Sequence, residues 1–147
     1  MEKIIIQVDR SVRPVYNIRV REILHPELEC IGPAEYDLLK IEPWFHSEQK
    51  EGKIVDGNTI YNYLKYTKNL SLCLNLQDGF AIKKKGIAIF SKVLKGKDLP
   101  LWPSIIVKQS GYLYVPFLYI LDGEILIDWR YIGFRLNSDN PTFLHSH

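Results

Sequence analysis

The chain has 147 residues, of which 46% are hydrophobic and 24% charged, the profile of one ordered domain and not of a disordered segment. Its longest apolar run, Tyr112 to Leu121, reaches about half of the roughly 20 residues needed to cross a bilayer and contains Pro116, which excludes a spanning helix there. The net charge of +2 hides a segregated distribution. Nine bases against Asp56 and Asp78 give +7 between Lys53 and Lys97, seven bases against ten acids give −3 before that stretch, and three against five give −2 after it.

Lys3 to Asp9, KIIIQVD, is dense in β-branched residues and predicts an N-terminal strand paired inside the sheet. From Arg13 to Gly52 the chain is punctuated by Pro14, Pro26, Pro33 and Pro43, which predicts ordered loops and short turns. The best local helix candidate in this stretch opens after Gly32, with Pro33 in its first turn and Glu35 and Asp37 where the N-terminal dipole favours acids.

The basic middle predicts two helices. The first covers about 58–69, capped by Asp56 or Asn58, with Ile60, Leu64 and Thr67 on one face. The second covers about 76–95, with Asn75 as N-cap, Asp78 three residues on, and Leu76, Phe80, Ile87, Phe90 and Leu94 recurring up to Gly96. Gly79 and Gly86 weaken that helix by roughly 1 kcal/mol each relative to Ala.

Beyond Pro100 and Pro103 the pattern becomes extended and predicts an antiparallel meander over about 104–131. Asp122-Gly123 between two apolar runs marks a type I′ hairpin turn, whose two central residues need positive φ. The middle strand is apolar on both faces, Leu113, Val115 and Phe117 on one and Tyr114, Leu118 and Ile120 on the other, so it belongs at the centre of the sheet. Trp129 alternates in phase with Ile125 and Ile127, which places it with the core. Residues 137–147 turn polar and read as a frayed tail. The expected architecture is therefore α+β: one domain over 1–147, with the meander and an N-terminal strand packed against two helices.

His25, Glu27 and Glu29 stand at every second position of HPELE. In an extended chain they would share a face, and with His46 they form the candidate acid/base or metal-assisted set. The same spacing is the default of any half-exposed strand or loop, and no metal or cofactor is assigned. Cys30 and Cys73 lack metal-ligand spacing and read as two ordinary thiols. The sequence contains no G-x-S-x-G elbow, phosphate loop or dinucleotide fingerprint.

The second candidate surface is Lys83, Lys84, Lys85 and Lys92 with Tyr61, Tyr63, Lys65 and Tyr66, basic and aromatic residues interleaved as phosphate contact and base stacking require. Three consecutive lysines spread over about 200° of a helix, which is also the habit of a solvated face. No arginine falls between Arg21 and Arg130, so the stretch lacks the bidentate contacts of sequence-specific readers. With no catalytic motif, segregated charge and nine tyrosines, the expectation is a cytoplasmic, non-catalytic domain with a protein partner and no membrane contact. The alternatives are non-specific nucleic-acid binding and the His/Glu enzyme. The sequence leaves the oligomeric state open.

Overall fold

The computed structural model describes residues 2–50, 52–86, 88 and 97–145. The isoleucine run forms β1 (Ile5–Gln7). After β2 (Glu22–Ile23) and a single 3-10 turn at Pro26–Leu28 comes β3 (Glu35–Asp37). β1 and β3 pair antiparallel in a two-stranded sheet of their own. Two expectations are corrected here: the N-terminal strand lies outside the main sheet, and the segment after Gly32 is a strand, not a helix.

The cause of both corrections is non-local. Ile4, Ile6 and Val8 bury one face of β1 in a cluster with Leu38, Leu76 and Ile82. The Tyr36 hydroxyl donates to Asp78, and the Asp37 carboxylate accepts from the Ile4 N–H, so residues suited to a helix start are held extended by distant partners. Asp37 also caps the following turn, Leu38–Lys40, by accepting from the Leu39 N–H.

β4 (Glu42–Trp44) and β5 (Val55–Asp56) lead into α1 (Gly57–Tyr66). Asp56 caps α1, its carboxylate 2.7 Å from the Asn58 N–H, and Ile60 and Leu64 are buried as their spacing requires. α2 (Leu76–Lys85) opens with the expected capping box, Asn75 accepting from the Asp78 N–H while Asp78 accepts from the Asn75 N–H. α2 ends at Lys85 because Gly86 takes φ +115°, which no continuing helix permits, and Ala88 beyond the break is again helical. The remainder of the expected helix, with Phe90, Lys92, Leu94 and Lys95, lies outside the described residues.

The main sheet contains β6 (Leu99–Pro100), β7 (Ile106–Val107), β8 (Leu113–Leu121) and β9 (Glu124–Tyr131), with β2 added at the edge of β7. The meander begins at Ile106, since Trp102–Ser104 is a 3-10 turn. β6 and β7 share one edge of β8 and β9 takes the other. Asp122 and Gly123 have φ of 50° and 77°, as the I′ hairpin demands. One face of β8 sends Val115 and Phe117 into a cluster with Ile60, Leu64 and Trp102. The other sends Leu118 into the cluster of Ile6, Leu76 and Ile82. Among the described residues no helix is long and apolar enough to cross a membrane.

β10 (Arg135–Leu136) pairs with β5, and β11 (Thr142–Leu144) pairs with β4. The expected fraying of 137–147 is thus overturned as far as His145. Its polar residues are structural: Gln49 donates to the carbonyls of Asn137 and Asn140, and the Trp102 indole N–H donates to the Thr142 hydroxyl at 2.9 Å. Buried hydrogen bonds of this kind are invisible to a composition argument.

Candidate functional site

The HPELE segment does not present its three polar side chains on one face. Pro26 starts the 3-10 turn, where its fixed φ and missing N–H are tolerated, and the alternation is lost. His25 Nε2 lies 2.5 Å from the Tyr61 hydroxyl and its Nδ1 3.5 Å from Glu27. Burial, aided by the Glu27 charge, pushes the Tyr61 phenol up to about 12. Glu29 turns inward, where it accepts from the Tyr16 hydroxyl at 2.7 Å and pairs with Arg13 at 3.0 Å. His46 has a different task. Its Nδ1 accepts from the Glu48 N–H to cap a 3-10 turn, and its ring meets Trp44 and Tyr63 edge-on. His25 and Glu27 thus come together, while Glu29 and His46 are each engaged with other partners. Among the described residues no three His, Cys, Asp or Glu side chains form a group that could hold a metal ion.

The Lys/Tyr set is also divided. Tyr61 is 3% exposed and stacks on Trp102 inside the core, with Lys65 over its ring at 4.8 Å. Tyr63 stacks on Trp44 with centroids 5.6 Å apart. Tyr66 is 88% exposed. Lys83, Lys84 and Lys85 occupy the last turn of α2, exposed and without an ion pair to any described residue. Lys92 lies outside the described residues.

A buried polar cluster at the start of α2 went unforeseen. Asp78, with no solvent exposure, accepts from Arg10 and from the Tyr36 hydroxyl, each at 2.8 Å, and stands 3.5 Å from His145 Nε2. Burial alone would raise its carboxyl. The His145 contact, the Arg10 charge and the Asn75 N–H outweigh burial and hold it below the usual carboxylate range. Arg10 donates further to the Pro33 carbonyl and to Gln77. Gly32 leaves it room, for at φ +133° a Cβ there would stand 2.4 Å from the guanidinium. Asn75 donates to the carbonyls of Leu28 and Ile31. Four chain segments are thereby fixed to one helix end.

The consequence of this clamp is a groove. Beyond Arg10 the chain runs along α2, held by Gln77 donating to the Val12 carbonyl at 2.6 Å. Gln77, Phe80, Ala81 and Lys84 recur at i, i+3, i+4 and i+7, one stripe of the helix, and face Val8, Val12, Pro14 and Val15 across about 430 Å³. Val12 and Val15 are 59% and 76% exposed. A second stretch of about 550 Å³ continues past Ile5 and Gln7 to Lys85. Both stretches are lined by Gln7, Ala81 and Lys84, so they adjoin along α2. The groove's signal in the sequence is the pair of valines in SVRPV, apolar residues inside a proline-rich loop. Comparison with protein-family models, curated proteins and solved structures finds no match.

Proposed function

We propose that this chain is a non-catalytic binding domain that takes part of another protein into the groove between residues 7–15 and α2. The observation that carries this reading is the pair of exposed valines, Val12 and Val15, on the wall of a channel whose floor is Phe80 and Ala81 and whose rim holds Arg13 and Lys84. Apolar surface beside cationic rim residues is the composition of a recognition site, with burial giving affinity and charge giving selection. A cytoplasmic setting is part of the proposal, supported by Cys30 and Cys73 as free thiols.

A photoreactive phenylalanine analogue placed at Val15, with a control at Asp122 in the hairpin turn, tests the reading in cells. The expected result is a protein adduct specific to position 15 that disappears when Val12 and Phe80 are both changed to Ser. Equal adducts at both positions, or nucleic acid in place of protein at position 15, would overturn it.

A further inference from the structure

The register between β1 and β3 shows which backbone groups the first strand has left over. Ile5 lies opposite Asp37, Ile6 opposite Tyr36 and Gln7 opposite Glu35. The Leu38 N–H donates to the Ile4 carbonyl at 2.7 Å and the Val8 N–H to the Ala34 carbonyl at 2.8 Å. In an antiparallel pair the hydrogen-bonded residues alternate, so residues 4, 6 and 8 turn their polar backbone toward β3. Ile5 and Gln7 turn theirs the other way. No described strand pairs with that outer edge, because this sheet has two strands only.

The outer edge does not face open solvent alone. It borders the second stretch of the groove, whose opposite wall is Ala81, Lys84 and Lys85 of α2. An exposed edge is a template for pairing with another chain, and peptide recognition by strand addition combines main-chain bonds for affinity with alternate side chains for selection. Here the side chains that would select are lysines. Neither Lys84 nor Lys85 has an ion pair with a described residue, and their helix ends beside the edge.

We infer that the outer edge of β1 accepts an extended acidic segment of a partner protein as an added strand, with carboxylates at alternate positions facing Lys84 and Lys85. The inference rests on the groove reading above and gives it a partner chemistry. Ile5 and Gln7 supply two N–H donors and two carbonyl acceptors. A lysine-rich segment would meet like charge at the α2 wall.

The test uses fluorescence anisotropy of the full chain with labelled peptides about six residues long, the usual strand length: alternating Val and Glu, alternating Val and Lys, and the Val/Glu peptide N-methylated at alternate residues. The expected result is binding of the Val/Glu peptide alone, weakened about tenfold or more by N-methylation, since each lost main-chain bond matters. The substitutions Lys84→Glu and Lys85→Glu together should abolish it. Slowed amide exchange at Ile5 and Gln7 on binding is also expected. Binding indifferent to N-methylation, or without protection of those amides, overturns strand addition. Binding equal for the Val/Lys peptide, or matched by a single-stranded oligonucleotide competing at the same concentration, overturns the acidic partner. If no peptide binds while position 15 still yields its specific protein adduct, this inference fails and the groove reading stands; if the adduct is absent too, both fail.

Discussion

The guanidinium of Arg10 and the carboxylate of Asp78 meet at 2.8 Å, the acid fully buried and the base nearly so. They join the loop that follows β1 to the first turn of α2, the two walls of the groove. The pair therefore sets the channel's shape as well as closing a buried charge.

Removing one partner should leave the other buried and uncompensated. Asp78→Asn is expected to cost about 3 kcal/mol of stability, the lower end for breaking a buried pair, read from the midpoint of urea unfolding. A loss under about 1 kcal/mol, the scale of an exposed pair, would show that the cluster does not hold α2 in place.

The same carboxylate makes stability depend on acid. Its folded pKa lies below the unfolded value, through His145, Arg10 and the Asn75 N–H acting against burial. The contribution is therefore complete above the unfolded pKa of about 3.9 and is lost as pH falls through the lower folded value. Asp9 and Asp37 act in the same direction, through hydrogen bonds from Ser11 and from the Ile4 and Leu39 N–H groups. Urea midpoints between pH 2 and 7 should fall steeply below pH 4 for the native chain and less steeply for Asp78→Asn. Parallel acid limbs would refute the assignment.

Two helical glycines should respond differently to alanine. A Cβ at Gly57 would lie 2.1 Å from the Ile132 carbonyl oxygen, a backbone atom that cannot step aside, whereas one at Gly79 meets chiefly a Leu101 methyl at 2.7 Å. Gly57→Ala should cost about 2 to 3 kcal/mol through overpacking. Gly79→Ala should stay within about 1 kcal/mol of native, since helix propensity offsets the repacking. Guanidinium unfolding of both variants decides the order.

The hairpin turn provides a fourth stability test. Asp122 and Gly123 both have positive φ, and a β-branched residue resists that conformation. Gly123→Val should cost about 1 to 2 kcal/mol, while Asp122→Gly should be close to neutral. Thermal unfolding by circular dichroism measures the difference.

Features carried by local chemistry were legible in the sequence. The Asp56 cap, the Asn75/Asp78 capping box, the Asp122-Gly123 turn and the two-sided burial of β8 each follow from a few adjacent residues or one period. What failed depended on partners far along the chain. Glu35 to Asp37 has helix-start chemistry, but its strand is fixed by Ile4 to Gln7 and by Asp78, 42 residues from Tyr36. Asp78 was legible as half of a capping box, not as the anchor of Arg10, 68 residues away. The groove was hidden for the same reason: Val12 and Val15 read as loop residues until Gln77 and Arg10 lay the loop against α2. Lys84 and Lys85 were named for their charge, and their place beside a strand edge needed the fold.

The polar cluster also imposes an order on synthesis. When α2 emerges, its carboxylate finds Arg10 and Tyr36 already made, while His145 follows 67 residues later. Until then one side of the pocket around Asp78 stands open to water. A nascent chain can lay β1 and β3 beside α2, but it cannot close that site before β11 arrives. β11 thus has a part in finishing the site: a chain cut before Thr142 would lack both the β4 pairing and the His145 contact, and would leave the Asp78 side of the cluster exposed.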